Sequence, residues 1–197
     1  MSALYFSKLS PYAAKARMAV AHVGYPAPSQ AVDTLDPPEG FLAANPLGKV
    51  PVLVTPEGRA IHDSRVILAF LDAWSGGRLY PADAPAAQRV MQYESLCDGI
   101  CDCLQAIMSE RRYRPEEKLH QPWIDRQWEK VRRGLAALEA DLPGNDVDAA
   151  ALALRGMLGY LSIRFEGLWE SDFPRLKAWM QQFDATNPTL ADHAPRM

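Results

Sequence analysis

Apolar residues in the first third of the chain form short runs that alternate with segments of helical spacing. Four short runs predict strands, at residues 3–6, 29–32, 50–54 and 59–61. Residues 11–23 predict a helix, because Ser10 suits the N-cap, Pro11 the first turn and Gly24 the end. Residues 64–74 predict another helix, since their apolar positions recur every three or four residues.

The order of these elements predicts a small mixed sheet covered by helices. A strand-helix-strand unit comes first, and the Pro-Glu-Gly turn at residues 56–58 then joins the third and fourth predicted strands as a hairpin. Such a unit, followed by an antiparallel hairpin and a helix, is the order of a thioredoxin-like α/β domain. We therefore predict that fold for residues 1–76.

Helical spacing of apolar residues dominates the second half of the chain, where no strand pattern stands out. The segments with this spacing are 90–107, 124–142, 149–165 and 173–183. Asn145 and Asp148, three residues apart, predict the N-cap of the third segment. Two Gly and two Pro within residues 76–85 disfavour both helix and strand, so we predict a linker at 77–85 and an all-helical domain at 86–197.

The composition narrows the class of partner and the compartment. A net charge of −3 at pH 7, without a run of Lys or Arg, argues against a nucleic acid partner. The sequence shows neither a secretory signal nor an apolar run long enough to cross a bilayer, so we expect a cytoplasmic protein without membrane contact. Cys97, Cys101 and Cys103 suit reduced thiols because they are odd in number. No His or fourth Cys lies at zinc-ligand spacing, so we expect no metal.

Four stretches of sequence carry a family resemblance. They are SKLSPYAAKAR at 7–17, NPLGKVPVL at 45–53, IHDSRVI at 61–67, and NDVD at 145–148 together with GYLSIRF at 159–165. In this order, and over essentially the whole chain, they resemble the active-site loop, the cis-proline segment, the γ-glutamyl site and the sixth helix of the cytosolic glutathione transferases. The resemblance implies a thioredoxin-like domain that binds glutathione as co-substrate, followed by a helical domain.

Ser10 stands where omega-type and glutaredoxin-like relatives have Cys and zeta-type relatives have Ser. A serine cannot form a mixed disulfide with glutathione, so the resemblance implies that its hydroxyl stabilises the glutathione thiolate. Lowering a thiol pKa by about two units takes about 2.7 kcal/mol. A hydrogen bond to a charged group contributes about 1.5–3 kcal/mol and a helix N-terminus about 0.3–1 kcal/mol. Tyr5 is the rival, because other classes use a tyrosine from the end of the first strand, and Ser7 is a third candidate.

The same resemblance assigns residues to the rest of glutathione. Val50 would offer its backbone to the cysteinyl part if the bond to Pro51 is cis, and Lys49 would meet the glycyl carboxylate. Ser64 opens a predicted helix, whose free N–H groups attract a carboxylate, so it suits the glutamyl carboxylate. Asp63 would then pair with the α-amino group.

A second pocket is expected between the start of the first helix and the inner face of the helical domain. Its candidate residues are Tyr12, Ala13, Cys101, Leu104, Arg111 and Tyr160. The function implied is attack of the glutathione thiolate on a small, hydrophobic electrophile. Alternatives are a glutathione-dependent isomerase or dehalogenase, and a non-catalytic glutathione-binding scaffold. The resemblance also implies a homodimer, in which the N-terminal domain of one subunit meets the helical domain of the other.

Overall fold

The computed structural model describes residues 2–144 and 146–196. The first part of the chain contains β1 Ala3–Phe6, α1 Pro11–Val23, β2 Ser29–Ala31, α2 Glu39–Ala44, β3 Val52–Val54, β4 Ala60–Ile61 and α3 Ser64–Ser75. The second part contains α4 Ala84–Tyr113, a 3-10 turn at Glu116–Lys118, α5 Gln121–Ala140, α6 Ala149–Arg164, α7 Pro174–Thr186 and α8 Pro188–Ala191. The predicted combination of a thioredoxin-like sheet domain with a helical domain is confirmed.

The sheet has four strands in the order β2-β1-β3-β4. β1 runs parallel to β2 and antiparallel to β3, which in turn pairs with β4 as the predicted hairpin. β3 begins at Val52 rather than at residue 50, because Pro51 has no N–H to donate to a neighbouring strand. The parallel pair is joined by α1, as the strand-helix-strand pattern predicts.

Helix α1 has the termini that the sequence predicts. The Ser10 Oγ accepts the Ala13 N–H at 3.1 Å, and Gly24 ends the helix with a φ of 76°. Helix α6 crosses the first turn of α1 so closely that a Cβ on Gly156 would lie 2.7 Å from the Pro11 carbonyl oxygen. Only a residue without a side chain fits at Gly156, and this contact fixes α6 beside the start of α1.

The helical part is organised around α6, which is buried from Ala149 to Leu161. Its apolar residues occur on every face, as expected for a helix enclosed by α1, α4 and α7. α4 begins at Ala84, inside the predicted linker, because the Asp83 carboxylate accepts the Ala86 N–H at 3.0 Å and caps the helix. Asp148 caps α6 by accepting the Ala151 N–H at 2.9 Å, whereas its predicted partner Asn145 lies outside the described residues.

Two short helices, α2 and α8, were not predicted from the sequence. Each has six residues or fewer, and each buries a single apolar side chain, Phe41 and Leu190 respectively. Within residues 2–144 and 146–196, no helix combines the length and the apolar character that crossing a membrane requires.

Candidate active site

Ser10 lies at the N-terminus of α1 with 8% of its surface exposed. Its oxygen accepts the Ala13 N–H, while its hydroxyl proton is donated to no acceptor in the described part of the chain. The N–H groups of Ala13 and Ala14 are hydrogen-bonded to Ser10, and Pro11 has none. The helix dipole places partial positive charge at this end of α1. An anion next to this hydroxyl would therefore meet a hydrogen-bond donor and a favourable electrostatic potential.

The rival hydroxyls have different surroundings. Tyr5 lies on β1 opposite Val52, and its ring packs edge-on against Phe41 with 5.7 Å between centroids. This contact makes the Tyr5 ring part of a small apolar cluster under α2. Ser7 lies in the loop before α1, where its carbonyl accepts the Ser10 N–H at 3.2 Å. Ser10 is the only one of the three that caps a helix.

The loop between α2 and β3 is held by Asn45, a residue whose role the sequence did not reveal. Asn45 is 2% exposed, its Oδ1 accepts the Leu47 N–H at 3.1 Å, and its Nδ2 donates to the Lys49 carbonyl at 2.8 Å. The bond between Val50 and Pro51 is cis, as the resemblance implies. Asn45 therefore fixes the backbone just before the predicted glutathione-contacting segment. The Asn-Pro pair was the signal that could have identified it.

The start of α3 is capped by Asp63, whose Oδ1 accepts the Arg65 N–H at 2.8 Å. Ser64 is the first residue of the helix and is 2% exposed, and its hydroxyl makes no hydrogen bond within the described residues. Both side chains lie beside the free N–H groups of a helix N-terminus, which is a favourable place for a carboxylate.

A buried cluster of charges links α1, α3 and α4. Lys15, with its side chain 1% exposed, donates to Glu94 Oε1 at 2.9 Å and to both Asp98 oxygens at 2.8–2.9 Å. Arg65 Nε donates to Asp98 Oδ2 at 2.8 Å, and the Tyr80 hydroxyl donates to Glu94 Oε2 at 2.7 Å. Two cations and two anions thus balance, so neither buried carboxylate lacks a hydrogen-bonded partner, although the Arg65 side chain is half exposed.

This cluster has a direct consequence for the site. Asp98 ties Arg65, and with it the first turn of α3, to the inner face of α4. The hydrogen bond from Arg65 to Asp98 raises the pKa of the guanidinium. The sequence did not predict the cluster, because Lys15 lies about 80 residues from Glu94 and Asp98 and no spacing rule relates them.

Polar side chains lie beside the start of α1 where the second pocket is predicted. The Tyr12 hydroxyl donates to Asp102 Oδ1 at 2.5 Å, and the Tyr160 hydroxyl donates to Gln105 Oε1 at 3.2 Å. Burial raises the pKa of Tyr12, and the neighbouring Cys101 and Asp102 raise it further. Burial also raises the pKa of Tyr160 to about 12, although the Arg164 guanidinium opposes this effect. Both phenols therefore stay protonated at neutral pH.

The other residues predicted for this pocket have unequal access to it. Ala13 and Leu104 have no exposed surface and Cys101 has 2%, so these three belong to the packed core. Arg111 is exposed near the end of α4. The polar residues Asp102, Gln105 and Arg164 were not predicted, although helical spacing from Cys101 and Tyr160 places them on nearby faces.

The three cysteines lie on α4 and form no disulfide among the described residues. Cys97, Cys101 and Cys103 are free thiols, and burial raises the pKa of each. In the described part of the chain, no three His, Cys, Asp or Glu side chains come together as a metal site.

The C-terminal segment packs against the loop that carries Ser10. The Arg196 N–H donates to the Lys8 carbonyl at 3.2 Å, and Arg17 donates to the His193 carbonyl at 3.3 Å. Arg17 also lies 4.1 Å above the Phe6 ring. Burial, and then the Arg17 guanidinium, lower the pKa of His193.

Comparison with known proteins identifies both halves of the chain. The family model for "Glutathione S-transferase, N-terminal domain" matches residues 9–74, and that for "Glutathione S-transferase, C-terminal domain" matches residues 121–182. The uncharacterised GST-like protein YibF of Escherichia coli K12 is 35% identical over 131 residues. This match covers 64% of the chain and 64% of YibF, so it spans slightly less than two thirds of that relative.

Two solved structures match along almost the entire chain. A glutathione S-transferase from Methylobacillus flagellatus KT, crystallised with glutathione bound, is 33% identical with a TM-score of 0.91, and the match covers 100% of both chains. A glutathione transferase family member from Pseudomonas fluorescens Pf-5 was crystallised with bound S-(propanoic acid)-glutathione. It is 35% identical with a TM-score of 0.86, over 99% of this chain and 100% of its own.

Proposed function

The chain belongs to the glutathione S-transferase family, and we propose that it transfers glutathione to a small electrophile, with Ser10 as the catalytic residue. The observation that carries this proposal is the state of the Ser10 hydroxyl. Its oxygen is already engaged by the Ala13 N–H, so its proton is free to be donated to a thiolate. A hydrogen bond to a charged group contributes about 1.5–3 kcal/mol, or about one to two units of thiol pKa.

Five residues are proposed to bind the rest of glutathione. They are Lys49, Val50, Pro51, Asp63 and Ser64. Two features of the structure support them: the loop before β3, fixed by Asn45, and the capped start of α3, tied to α4 through Arg65. The glutathione bound to the Methylobacillus flagellatus protein gives further support, since the two chains match over their full lengths.

The second substrate is proposed to react beside Tyr12 and Arg111, whereas Tyr160, which is 3% exposed, belongs to the packed core like Cys101. The thiolate attacks an electrophilic carbon by addition or substitution, and the bound geometry supplies proximity and charge stabilisation. The polar pair of the Tyr12 hydroxyl and the exposed Asp102 carboxylate favours a short, polar acceptor over a large apolar one. The S-(propanoic acid)-glutathione bound to the Pseudomonas fluorescens Pf-5 protein supports an acceptor of this size.

We also propose a cytoplasmic homodimer. Val66 on α3 and Met91 and Leu96 on α4 are large apolar side chains that remain at least 36% exposed. Exposed large apolar side chains are common at interaction surfaces, and an isologous contact between two copies would cover those on α3 and α4. Light scattering that gives the mass of a monomer would remove this part of the proposal.

The test combines glutathione retention with turnover. The wild-type protein should be retained on immobilised glutathione and should accelerate conjugation of glutathione to at least one member of a panel of haloaromatics, isothiocyanates and acrylates. Ser10→Ala should lower that rate about 10- to 100-fold, whereas Tyr5→Phe should leave it within about threefold. Retention without turnover would favour a scaffold, and an unchanged rate in Ser10→Ala would reject the mechanism.

A further inference from the structure

A line of residues along α6 leads from the start of α1 to the end of the helix. Gly156 touches the Pro11 carbonyl, next to Ser10, and Tyr160 and Arg164 follow at intervals of four residues on the same face. Each interval advances about 6 Å along the axis, and helical side chains lean toward the N-terminus. Arg164 therefore lies one turn beyond Tyr160, on the face of α6 that begins beside Pro11 and Ser10.

The Tyr160 hydroxyl orients a second side chain at this place. It donates to Gln105 Oε1 at 3.2 Å, which leaves the Gln105 Nε2 group with its two N–H donors. Those donors have no acceptor among residues 2–144 and 146–196. The Arg164 guanidinium, one helical turn beyond Tyr160 on α6, opposes the rise in the pKa of that phenol. Tyr160 thus links Gln105 on α4, through a hydrogen bond, to Arg164 on α6, through helical spacing.

The charges around this point favour an anion. Arg164 is exposed, and within the described ranges no carboxylate lies within the 4.0 Å of its guanidinium that an ion pair requires. Arg111, on α4, is likewise exposed and unpaired within those ranges. Asp102 is the anion on the facing side of α4, and it accepts the hydrogen bond of the Tyr12 hydroxyl. The donor set at Arg164 and Gln105 has the composition of a carboxylate site.

We propose that Arg164 and Gln105 bind a carboxylate of the second substrate, so that the acceptor is a short unsaturated or halogenated carboxylic acid. This inference rests on the proposed function and gives its acceptor a chemical class. With an α,β-unsaturated acid, the thiolate sulfur forms a bond to the β-carbon, the π electron pair moves to the α-carbon, and water supplies the proton there. With a haloacid, the halide leaves with the electron pair of its bond to carbon.

The test measures binding and does not require turnover. Two thioethers of glutathione are compared by titration calorimetry: S-(2-carboxyethyl)glutathione and its neutral amide, S-(2-carbamoylethyl)glutathione. The wild-type protein should bind the acid about tenfold more tightly than the amide, or better. Arg164→Gln should weaken the acid about 10- to 100-fold and leave the amide within about twofold, while Arg164→Lys should retain part of the preference.

The matched control is Arg126→Gln, since Arg126 is an exposed arginine on α5 without an ion pair among the described residues. It should change neither affinity. Equal affinity of the wild type for acid and amide, an equal loss of both in Arg164→Gln, or no binding of either thioether would overturn the inference. A retained preference for the acid without catalysed addition of glutathione to acrylate would instead reject the proposed function and leave the carboxylate site standing.

Discussion

Replacing Lys15 by Met removes one charge from the buried cluster that joins α1, α3 and α4. Glu94 and Asp98 are 3% and 5% exposed, and Lys15 donates to both at 2.8–2.9 Å. The variant leaves two buried carboxylates with Arg65 as their single cation. Loss of one partner from a buried ion pair costs about 3–5 kcal/mol, because the remaining charge stays uncompensated. For a chain of this size that corresponds to a fall in Tm of about 6–20 °C.

Urea and thermal unfolding followed by circular dichroism measure the effect. Lys118→Met is the matched control, because Lys118 is exposed in the 3-10 turn and should change the unfolding free energy by less than about 0.5 kcal/mol. The double variant Lys15→Met/Glu94→Gln restores a neutral cluster, since Arg65 still faces Asp98. It should therefore be more stable than the sum of the two single changes predicts.

Two results would refute this reasoning. One is a loss below about 1 kcal/mol in Lys15→Met, which would mean that water or a shift of the helices replaces the ammonium group. The other is simple additivity in the double variant, which would mean that charge balance does not stabilise the interface.

Two further predictions follow from the surroundings of His193 and of the cysteines. The pKa of His193 is lowered in the folded protein, so the unfolded chain takes up the proton first, and stability is lost as the pH falls below about 6.5. His193→Gln should therefore lose less unfolding free energy than the wild type between pH 7 and pH 5 in urea titrations; an identical slope would contradict this. In a thiol titration of the native protein, only the half-buried Cys103 should react, and Cys97 and Cys101 should react only after unfolding, because burial raises the pKa of both. Fast reaction of all three thiols would show that the α4 core opens in the native state.

Local sequence signals were sufficient to predict the helices that carry the candidate glutathione-binding residues Ser10, Asp63 and Ser64. Ser10, Pro11 and Gly24 mark both ends of α1, because capping and φ preferences act within one turn. The Asp63–Ser64 pair marks the start of α3 for the same reason, since the Asp63 carboxylate accepts the Arg65 N–H. The strands proved shorter than predicted where Pro51 interrupts the pairing.

Contacts between distant elements could not be predicted in this way. The partners of Lys15 lie on α4, about 80 residues further along the chain, and the sequence presents them as ordinary helix residues. The lining of the second pocket could not be settled from the sequence, because the spacing of Cys101 and Leu104 fits either a core or a pocket. Both residues are buried in the structure. The hydrogen bond between Tyr160 and Gln105 depends on the packing of α6 against α4, which the sequence does not show.

The most direct test of the account is the pKa of the glutathione thiol in the complex, measured by thiolate absorbance. Wild-type protein should lower this pKa below its value in free glutathione. Ser10→Ala should raise it by about one to two units, as expected for the loss of a hydrogen bond to a charged group, and Ser10→Thr should restore part of the effect. An unchanged pKa in Ser10→Ala would show that the hydroxyl at the start of α1 does not stabilise the thiolate.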